Sequence, residues 1–323
     1  MRISVAMAVY NGSRYLPSQL ESIAKQARLP DQLVVCDDNS NDDSVEIIRK
    51  FAQKAPFHVD LYVNEKNLGY SQNFSKAMSL CDGDLIFLSD QDDVWFDHKI
   101  GRITEIATQH PKINIFINNA ELTDHNLVPA GITKTEQILA TGYPIRNMVM
   151  GTCSAVRQEF ISYCLPVPGN YGGHDNWLHD LAGLLNTRMI LNESLQYYRI
   201  HRGNTSTYFA NTHRKIYRIK RIASDLFSPK DRLSEIKTMH KRRHILMNWL
   251  IEHARIPPNI SQNTYYLKKI IDDLEIEIMA IEQRIKLYEG GKLSRILPGI
   301  KMLVNKQYSY FNGWKSLLKD LLQ

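Results

Sequence analysis

The first hundred residues alternate between short apolar segments and amphipathic segments, and this alternation restricts the fold more than any other feature of the chain. The apolar segments predict strands at Ile3–Val9, Gln32–Cys36, His58–Val63 and Leu85–Leu88. The segments between them predict helices at Tyr15–Gln26, Ser44–Ala52 and Tyr70–Leu80. Strand–helix alternation at this spacing predicts an α/β protein with a doubly wound, mainly parallel sheet. In such sheets ligands bind beyond the carboxyl ends of the strands.

The pattern changes twice after residue 110. A mixed region up to residue 204 predicts a helix at Asp175–Leu185 and strands at Ile113–Asn118, Val149–Val156, Met189–Leu191 and Leu195–Ile200. Beyond Thr205 apolar residues recur three and four positions apart, which predicts helices in segments 213–226, 231–254 and 262–288. We therefore expect two domains, residues 1–206 with the sheet and residues 207–323 with basic helices.

Charge divides the chain in the same place. Residues 1–204 hold 18 Lys and Arg against 23 Asp and Glu, whereas residues 205–323 hold 22 against 11. The two parts are therefore expected to meet different partners. No pair of the four cysteines has CxxC spacing, no run of 18 apolar residues occurs, and the apolar start is too short for a signal peptide. We expect a cytoplasmic protein.

The acidic turn at residues 90–93 is the sharpest local signal. Asp90, Asp92 and Asp93 follow the apolar strand at Leu85–Leu88, where three carboxylates repel one another and folding does not require them. Oxygen ligands of this kind suit Mg²⁺ or Mn²⁺, particularly when substrate phosphates complete the coordination. A solvated acidic turn is the structural alternative.

Four weaker signals lie at other predicted element ends. Residues 37–42 form a second acidic turn, which could bind a nucleoside or simply cap the next helix. Asp175 lies just after Gly172 and Gly173. It could act as a general base or simply cap the helix that follows. Residues 198–206 carry Arg199 and His201, which suit phosphate or metal, or form a basic linker. Residues 66–70 open a helix whose amides could meet phosphate.

Taken in order, these segments resemble glycosyltransferase family 2, the inverting enzymes of the GT-A fold. The resemblance covers roughly residues 1–206, and its motifs are Ile3–Gly12, Val34–Ser40, Asn67–Gly69, Ser89–Trp95, His174–Leu178, and Tyr198–His201 with Asn204 and Ser206. The Ser89–Trp95 segment resembles the family's DxD region, in a form common among rhamnosyltransferase-like members. The sequence departs from the family pattern at His174, where an acid usually precedes the catalytic base.

The resemblance implies a role for each matching residue. Asp175 would be the catalytic base, and Asp90 and Asp92 would form the DxD pair, with Asp92 the more direct ligand of Mg²⁺ or Mn²⁺. His201 would approach the metal or, with Arg199, the diphosphate. The remaining donor-binding residues would be Ala8, Tyr10, Asn11, Asp38, Asn67 and Gly69. Asp38 could accept from N3 of uracil or thymine, so UDP-hexose and dTDP-rhamnose donors both remain open, with a slight preference for the latter by analogy.

The predicted function is therefore metal-dependent transfer of a sugar from a nucleoside diphosphate sugar to a glycan or lipid-linked acceptor of a bacterial surface polysaccharide. The alternatives are a sugar-1-phosphate nucleotidyltransferase and a non-catalytic scaffold that binds nucleotide sugars. The basic helices after residue 206 suit peripheral contact with the inner face of the cytoplasmic membrane, or a homo-oligomer seam along Thr264–Tyr288. Nucleic acid is not an expected partner, because aromatic and basic residues do not combine on a predicted sheet face.

Overall fold

The computed structural model describes residues 1–140, 144–145, 148–201, 203–204, 231–253 and 264–322. The chain divides into two compact units, Met1–Tyr217 and Arg218–Gln323. The expected boundary between residues 206 and 207 and the helix predicted at 213–226 lie outside the described residues, so both stay predictions. Among the helices that are described, none is both long enough and apolar enough to cross a bilayer.

The first unit combines strands and helices in the predicted alternation. Its strands are β1 (Ile3–Val9), β2 (Gln32–Asp37), β3 (His58–Val63), β4 (Leu85–Ser89), β5 (Val94–Trp95), β6 (Ile115–Thr123), β7 (Pro129–Thr133), β8 (Ser154–Arg157) and β9 (Arg188–Arg199). Its α-helices are α1 (Leu16–Ala24), α2 (Ser44–Ala52), α3 (Tyr70–Ser79), α4 (Lys99–Gln109), α5 (Lys134–Ala140), α6 (Gln158–Cys164) and α7 (His174–Leu184). The four strands predicted in the first hundred residues are confirmed, each to within one residue.

The strands form one mixed sheet in the order β3-β2-β1-β4-β8-β6-β9-β5, with β7 paired to β6. Strands β1 to β4 are mutually parallel, as predicted. Strand β8 then enters between β4 and β6 and runs antiparallel to both. The sheet is therefore parallel in its first half and mixed in its second. This arrangement brings the carboxyl ends of β1, β2 and β4 to one edge.

Three strands of the second half differ from their predicted extents. The strand predicted at Ile113–Asn118 is β6, which begins at Ile115 and continues to Thr123. The strand predicted at Val149–Val156 begins only at Ser154, because residues 151–153 form a 3₁₀ turn. The strands predicted at Met189–Leu191 and Leu195–Ile200 are one continuous strand, β9. Its register against β6 shifts between Ile117 and Asn119, and this irregularity lies opposite the polar residues that interrupted the apolar pattern.

The core lies on both sides of the parallel strands. Every residue of β2 and all but one residue of β1 are buried. Such strands have continuous apolar sequences instead of alternating ones, because helices cover both faces of a parallel sheet. Side chains from β1, β2 and β4 share one apolar cluster, including Met7, Val35 and Phe87. Burial of each such side chain stabilises the fold by roughly 1.5–3 kcal/mol, which holds the strand ends at fixed spacing.

The second unit is helical where it is described. Its α-helices are α8 (Arg232–Glu252), α9 (Thr264–Leu287), α10 (Ile296–Val304) and α11 (Trp314–Leu322). The carboxylate of Asp320 is fully buried and accepts two hydrogen bonds from Arg284, at 2.6 and 2.8 Å. The hydroxyls of Tyr288 and Tyr308 also donate to Asp320, each at 2.9 Å. Four donors therefore compensate the buried charge and join α9 to α11.

Candidate active site

A cleft of about 680 Å³ lies at the carboxyl ends of β1, β2 and β4. Its volume lies within the usual range for ligand sites in proteins. Eight of the predicted site residues line it, namely Ala8, Tyr10, Asp38, Asn67, Gly69, Asp90, Asp92 and Asp175. Asn11, Arg199 and His201, which the prediction also placed at the site, lie next to the cleft without lining it. The structure thus brings together residues that are up to 167 positions apart in the sequence.

Asp38 follows β2 and is held by the start of α3. Its carboxylate accepts hydrogen bonds from the amides of Leu68 and Gly69, at 2.7 and 2.9 Å, and from the side chain of Asn64 at 2.9 Å. Gly69 has a φ of +82°, which a residue with a Cβ rarely adopts, and this turn aims both amides at Asp38. A carboxylate offers about four acceptor positions, so Asp38 keeps one for a ligand in the cleft.

Asn67 and Asn11 support the loops around the cleft. The side chain of Asn67 donates to the carbonyl of Asp38 at 3.3 Å and accepts from the amide of Gly69 at 3.0 Å. Asn11 has a φ of +48° and joins the loop after β1 to the loop after β2. Its amide donates to Ser40 at 2.9 Å, and its side chain accepts from Asn41 at 2.8 Å. Both asparagines therefore shape the loops after β1 and β2 mainly through hydrogen bonds to the backbone.

The side chain of Gln91 connects the acidic turn to the loop after β1. It accepts from the amide of Tyr10 at 2.8 Å and donates to the carbonyl of Tyr10 at 3.1 Å. Tyr10 itself lines the cleft and is 46% exposed. The sequence prediction assigned no role to Gln91, although it lies inside the acidic motif. Its two hydrogen bonds tie the acidic turn to the backbone of the loop after β1.

Asp90 carries the least compensated charge in the site. Among the described residues, none donates a hydrogen bond to its carboxylate, which is partly exposed in the cleft. Burial raises its pKa well above the usual value, and the negative charges of Asp92, Asp93 and Asp175 raise it further. A divalent cation would offset this repulsion, and carboxylate oxygens are the ligands that Mg²⁺ and Mn²⁺ prefer. The acidic turn thus fits the metal predicted for it.

Asp92 is paired with His201 across the cleft rim. Nε2 of His201 lies 2.7 Å from Oδ2 of Asp92, and both side chains are 13% exposed. The amide of Gly203 donates to Nδ1 of the same ring at 3.1 Å. Nδ1 is therefore the acceptor, and in the neutral ring the proton lies on Nε2 and is donated to Asp92. In this arrangement His201 positions Asp92, and its predicted role as a metal ligand stays a prediction.

Arg199 has a different environment from the one expected of a diphosphate ligand. Its side chain donates to the carbonyls of Asp92 and His125, at 2.7 and 3.0 Å, and to the hydroxyl of Ser18 at 3.0 Å. The guanidinium also lies 4.6 Å from the centre of the Tyr15 ring. Each of its three nitrogens has a protein partner, and the side chain does not line the cleft. Arg199 therefore anchors the acidic turn.

A buried polar chain lies behind the acidic turn. Asp93 is 1% exposed and accepts from the side chain of Gln196 at 2.8 Å and from the amide of Arg199 at 3.2 Å. Burial raises the pKa of Asp93 to about 7, and Asp92 adds to this. The fully buried Lys99 donates to Gln196, and burial lowers the pKa of Lys99 to about 8. The third acid of the motif is therefore structural, because it ties the turn to β9.

Asp175 lies in the first turn of α7 and lines the cleft. The preceding Gly173 has a φ of +129°, which turns the chain sharply into the helix. The amide of Asn176 donates to Oδ1 of Asp175 at 2.8 Å. The fully buried Trp177 donates to the carbonyl of Cys164 at 2.8 Å and anchors this turn. A rigid support of this kind suits a side chain that must meet a substrate at one position.

Two further residues line the cleft without having been assigned a role. His174 is 4% exposed and stacks on Phe74 with ring centres 4.2 Å apart. Neither of its ring nitrogens has a hydrogen-bond partner among the described residues, and burial lowers its pKa to about 4. Lys134 at the start of α5 is 5% exposed, and burial lowers its pKa to about 8. The sequence signalled His174 only as a departure from the family motif, and it gave no signal for Lys134.

The fold and the site define a glycosyltransferase of the GT-A type. Residues 4–164, about half of the chain, match the family model described as Glycosyl transferase family 2. The chain belongs to this family, as its ordered motifs predicted.

Known proteins that resemble the chain agree with this assignment. An uncharacterised glycosyltransferase of Nostoc sp. is 26% identical over 63% of this chain and 66% of its own length, just under two thirds. The dTDP-rhamnosyl transferase RfbG of Shigella flexneri is 29% identical over 38% of this chain and 41% of its own length. The crystal structure of S. aureus TarS residues 1–349 in complex with UDP is similar over 99% of this chain and 90% of that chain. Its TM-score is 0.58 at 12% identity, a likeness that concerns the fold.

Proposed function

We propose that this glycosyltransferase inverts the sugar it transfers, depends on a divalent cation and uses a nucleoside diphosphate sugar. The acceptor is a hydroxyl of a glycan or lipid-linked glycan of a bacterial surface polysaccharide. The observation that carries the proposal is the convergence of three acidic groups on one cleft. Asp38, the pair Asp90 and Asp92, and Asp175 come from three separate elements and line the same space. In this proposal Asp38 contacts the base of the nucleotide, and Asp90 and Asp92 bind the cation at the diphosphate. Asp175 accepts the proton of the acceptor hydroxyl.

The nucleoside binds at Asp38 in this proposal. Three protein donors occupy its carboxylate, which leaves one acceptor position, and Asp38 lines the cleft together with Ala8 and Tyr10. The N3–H group of uracil or thymine is a donor that such a position accepts, so UDP and dTDP sugars both fit. RfbG, named as a dTDP-rhamnosyl transferase, favours dTDP-rhamnose by analogy. UDP-hexoses are the other donor class.

Asp90 and Asp92 hold the cation, and His201 keeps Asp92 in place. A bound Mg²⁺ or Mn²⁺ supplies charge neutralisation to the departing diphosphate. Lys134 lines the same cleft and brings a positive charge to it. We assign the diphosphate to Lys134 instead of Arg199, because the guanidinium of Arg199 is engaged by three protein oxygens.

Asp175 acts as the general base. Its carboxylate takes the proton of the acceptor hydroxyl while the hydroxyl oxygen bonds to the anomeric carbon from the face opposite the leaving group. The bond between that carbon and the diphosphate oxygen breaks in the same displacement, and the electron pair leaves with the nucleoside diphosphate. One displacement inverts the anomeric centre, so the mechanism needs no protein nucleophile.

Release of nucleoside diphosphate tests this proposal. Purified protein is incubated with UDP and dTDP sugars in Mg²⁺, Mn²⁺ or EDTA, with and without glycan acceptors. We expect turnover of one donor that EDTA abolishes. Asp175→Asn should lower turnover by a factor of about 10²–10⁴, which is the usual contribution of a general base. Donor binding should be retained. Asp180→Asn, on the same helix but outside the cleft lining, is the matched control.

The same assay separates the alternatives. A nucleotidyltransferase would consume a nucleoside triphosphate and release pyrophosphate, and a scaffold would bind donor without releasing diphosphate from it. Full turnover by Asp175→Asn would refute the assignment of the base.

We also propose that the second unit contacts an anionic membrane surface. Leu293, Leu297 and Val304 are 85%, 80% and 74% exposed, and Leu297 and Val304 share one face of α10. Exposed Lys292, Lys301 and Lys306 flank them. Apolar side chains bordered by lysines suit the boundary between acyl chains and anionic headgroups. The oligomer seam predicted along α9 is less favoured, because Leu274, Ile278 and Ile281 are already buried.

Vesicle sedimentation tests the membrane contact. Binding to vesicles that contain phosphatidylglycerol should exceed binding to pure phosphatidylcholine. Leu297→Gln with Val304→Gln should weaken binding more than tenfold, since each buried aliphatic side chain contributes about 1.5–3 kcal/mol. Val128→Gln, at a site 59% exposed in the first unit, is the control. Unchanged vesicle binding by the double variant would refute the proposal. A parent protein that is a dimer, and that becomes a monomer in the double variant, would also refute it.

A further inference from the structure

Two helices of the second unit direct three metal-binding atoms to one point. His240 and His244 lie one turn apart on α8, and Glu282 lies on α9. The Nε2 atoms of the two histidines are 3.1 Å apart, and Nε2 of His240 is 3.2 Å from a carboxylate oxygen of Glu282. All three atoms lie within 4.8 Å of one another. We propose that these residues form a metal site, with Zn²⁺ as the ion that suits it best.

Hydrogen bonding alone leaves this cluster poorly satisfied. The Nε2 atom of a neutral histidine carries either one proton or one lone pair in the ring plane. If His244 donates to Nε2 of His240, that atom has no proton to donate to Glu282, and two acceptors lie 3.2 Å apart. If His240 is the donor, its single proton must be shared between His244 and Glu282. A cation at the point of convergence accepts from all three groups at once.

The spacing also agrees with zinc coordination. Zn–N bonds of about 2.0–2.1 Å and Zn–O bonds of about 2.0–2.2 Å in a tetrahedron separate neighbouring ligand atoms by roughly 3.3 Å. The two short separations in the cluster, 3.1 and 3.2 Å, are close to this value. Two imidazoles with one carboxylate favour Zn²⁺ over Mg²⁺, which prefers oxygen ligands. This preference separates the cluster from the carboxylates of Asp90 and Asp92.

The surroundings leave room for a fourth ligand and keep the net charge moderate. The side chains of His240 and Glu282 are 28% and 49% exposed, so water can complete the coordination. Arg243, which lies between the two histidines in the sequence, is paired with Glu277 at 2.9 Å. Bound zinc would join α8 to α9, two helices whose connecting residues 254–263 lie outside the described part of the chain. The expected role is structural, as a clamp on this helix pair.

Zinc titration of the whole protein tests the site. The chelator-treated protein competes for Zn²⁺ with a chromophoric chelator, with millimolar Mg²⁺ present to occupy oxygen-ligand sites. We expect one Zn²⁺ per chain and a higher melting temperature with zinc. His244→Gln and Glu282→Gln should each weaken zinc binding at least tenfold and abolish the melting shift. His253→Gln, at the end of the same helix, is the matched control and should bind zinc like the parent protein.

The outcomes are distinct. The proposal is overturned if the parent protein binds no zinc. It is also overturned if the His244→Gln and Glu282→Gln variants bind zinc as tightly as the parent. Asp90→Asn should retain the zinc, so loss in that variant would assign the ion to the cleft instead. Glu282 is half exposed, and its Gln variant keeps the test valid if His244→Gln fails to fold.

Discussion

His174 should make the stability of the first unit depend on acid. Its imidazole is 4% exposed, and burial lowers its pKa to about 4 from the usual 6.5. As the pH falls from 6.5 to 4, the unfolded chain binds a proton here that the folded chain does not. Protons therefore favour the unfolded state, and stability is lost as the pH falls through this window. At 1.36 kcal/mol per pKa unit, the loss reaches about 3 kcal/mol by pH 4.

The substitution His174→Phe isolates this contribution. Phenylalanine keeps an aromatic ring against Phe74 but carries no titratable group, and it removes two buried nitrogens that have no described partner. At pH 7 we expect the variant to be at least as stable as the parent protein. Toward pH 4 its advantage should grow by about 3 kcal/mol. His179 is also buried, and burial, the largest cause of its lowered pKa, is the same in both proteins, so most of its contribution cancels in the difference.

Urea unfolding at several pH values between 7 and 4 measures the difference. Replacing Trp249 and Trp314 by Phe leaves Trp95 and Trp177 to report on the first unit alone. The free energy of unfolding is compared between His174→Phe and its parent at each pH. A difference that stays constant from pH 7 to pH 4 would show that His174 takes up its proton in the folded state as readily as in the unfolded state, and would refute the reasoning.

Three further substitutions test other parts of the structure. Arg199→Lys should lose at least two of the three hydrogen bonds that Arg199 makes to the acidic turn and its surroundings. The free energy of unfolding, measured in urea, should fall by about 1–3 kcal/mol. The Mn²⁺ concentration needed for half-maximal turnover should rise in the same variant. Asp320→Ala leaves the charge of Arg284 buried without its carboxylate, at a cost of about 3–5 kcal/mol. Pairing Asp320→Leu with Arg284→Met should recover most of that loss, and a double variant as unstable as Asp320→Ala would contradict this. Gly69→Ala forces a residue with a Cβ to a φ of +82°, at a cost of about 1–3 kcal/mol. It should weaken UDP binding in a calorimetric titration, whereas Gly183→Ala, at an open position within α7, should leave UDP binding unchanged.

The sequence predicted best what local pattern determines. Strands β1, β2 and β4 could be located to within a residue because each is a mostly apolar run that ends at polar residues. Helix α4 went unpredicted, although Ile100, Ile103 and Ile106 are buried along one face. The course of β9 was also misjudged, since its polar middle residues pair with β6 through an irregular register. Sheet pairing therefore overrode the local pattern.

The site shows the same division. The acidic motifs could be read from the sequence because charge clusters at strand ends are unusual in a chain that folds for stability alone. The environment of Arg199 could not be read, because its partners His125 and Ser18 lie 74 and 181 positions away. Lys134 went unnoticed for a related reason, since only the fold brings the start of α5 to the cleft. A motif thus identifies the residue type, and the fold decides which atoms face the ligand.

The two hydrogen bonds between Gln91 and Tyr10 have a thermodynamic consequence. They join the segment of Asp90 and Asp92, where the proposed function places the cation, to the segment of Ala8 and Tyr10, where it places the nucleoside. Ordering either segment then reduces the entropy that must be lost when the other becomes ordered. By linkage, nucleotide and cation should raise each other's affinity by the same factor. A single glutamine side chain would in this way make the two ligands cooperative before any sugar is transferred.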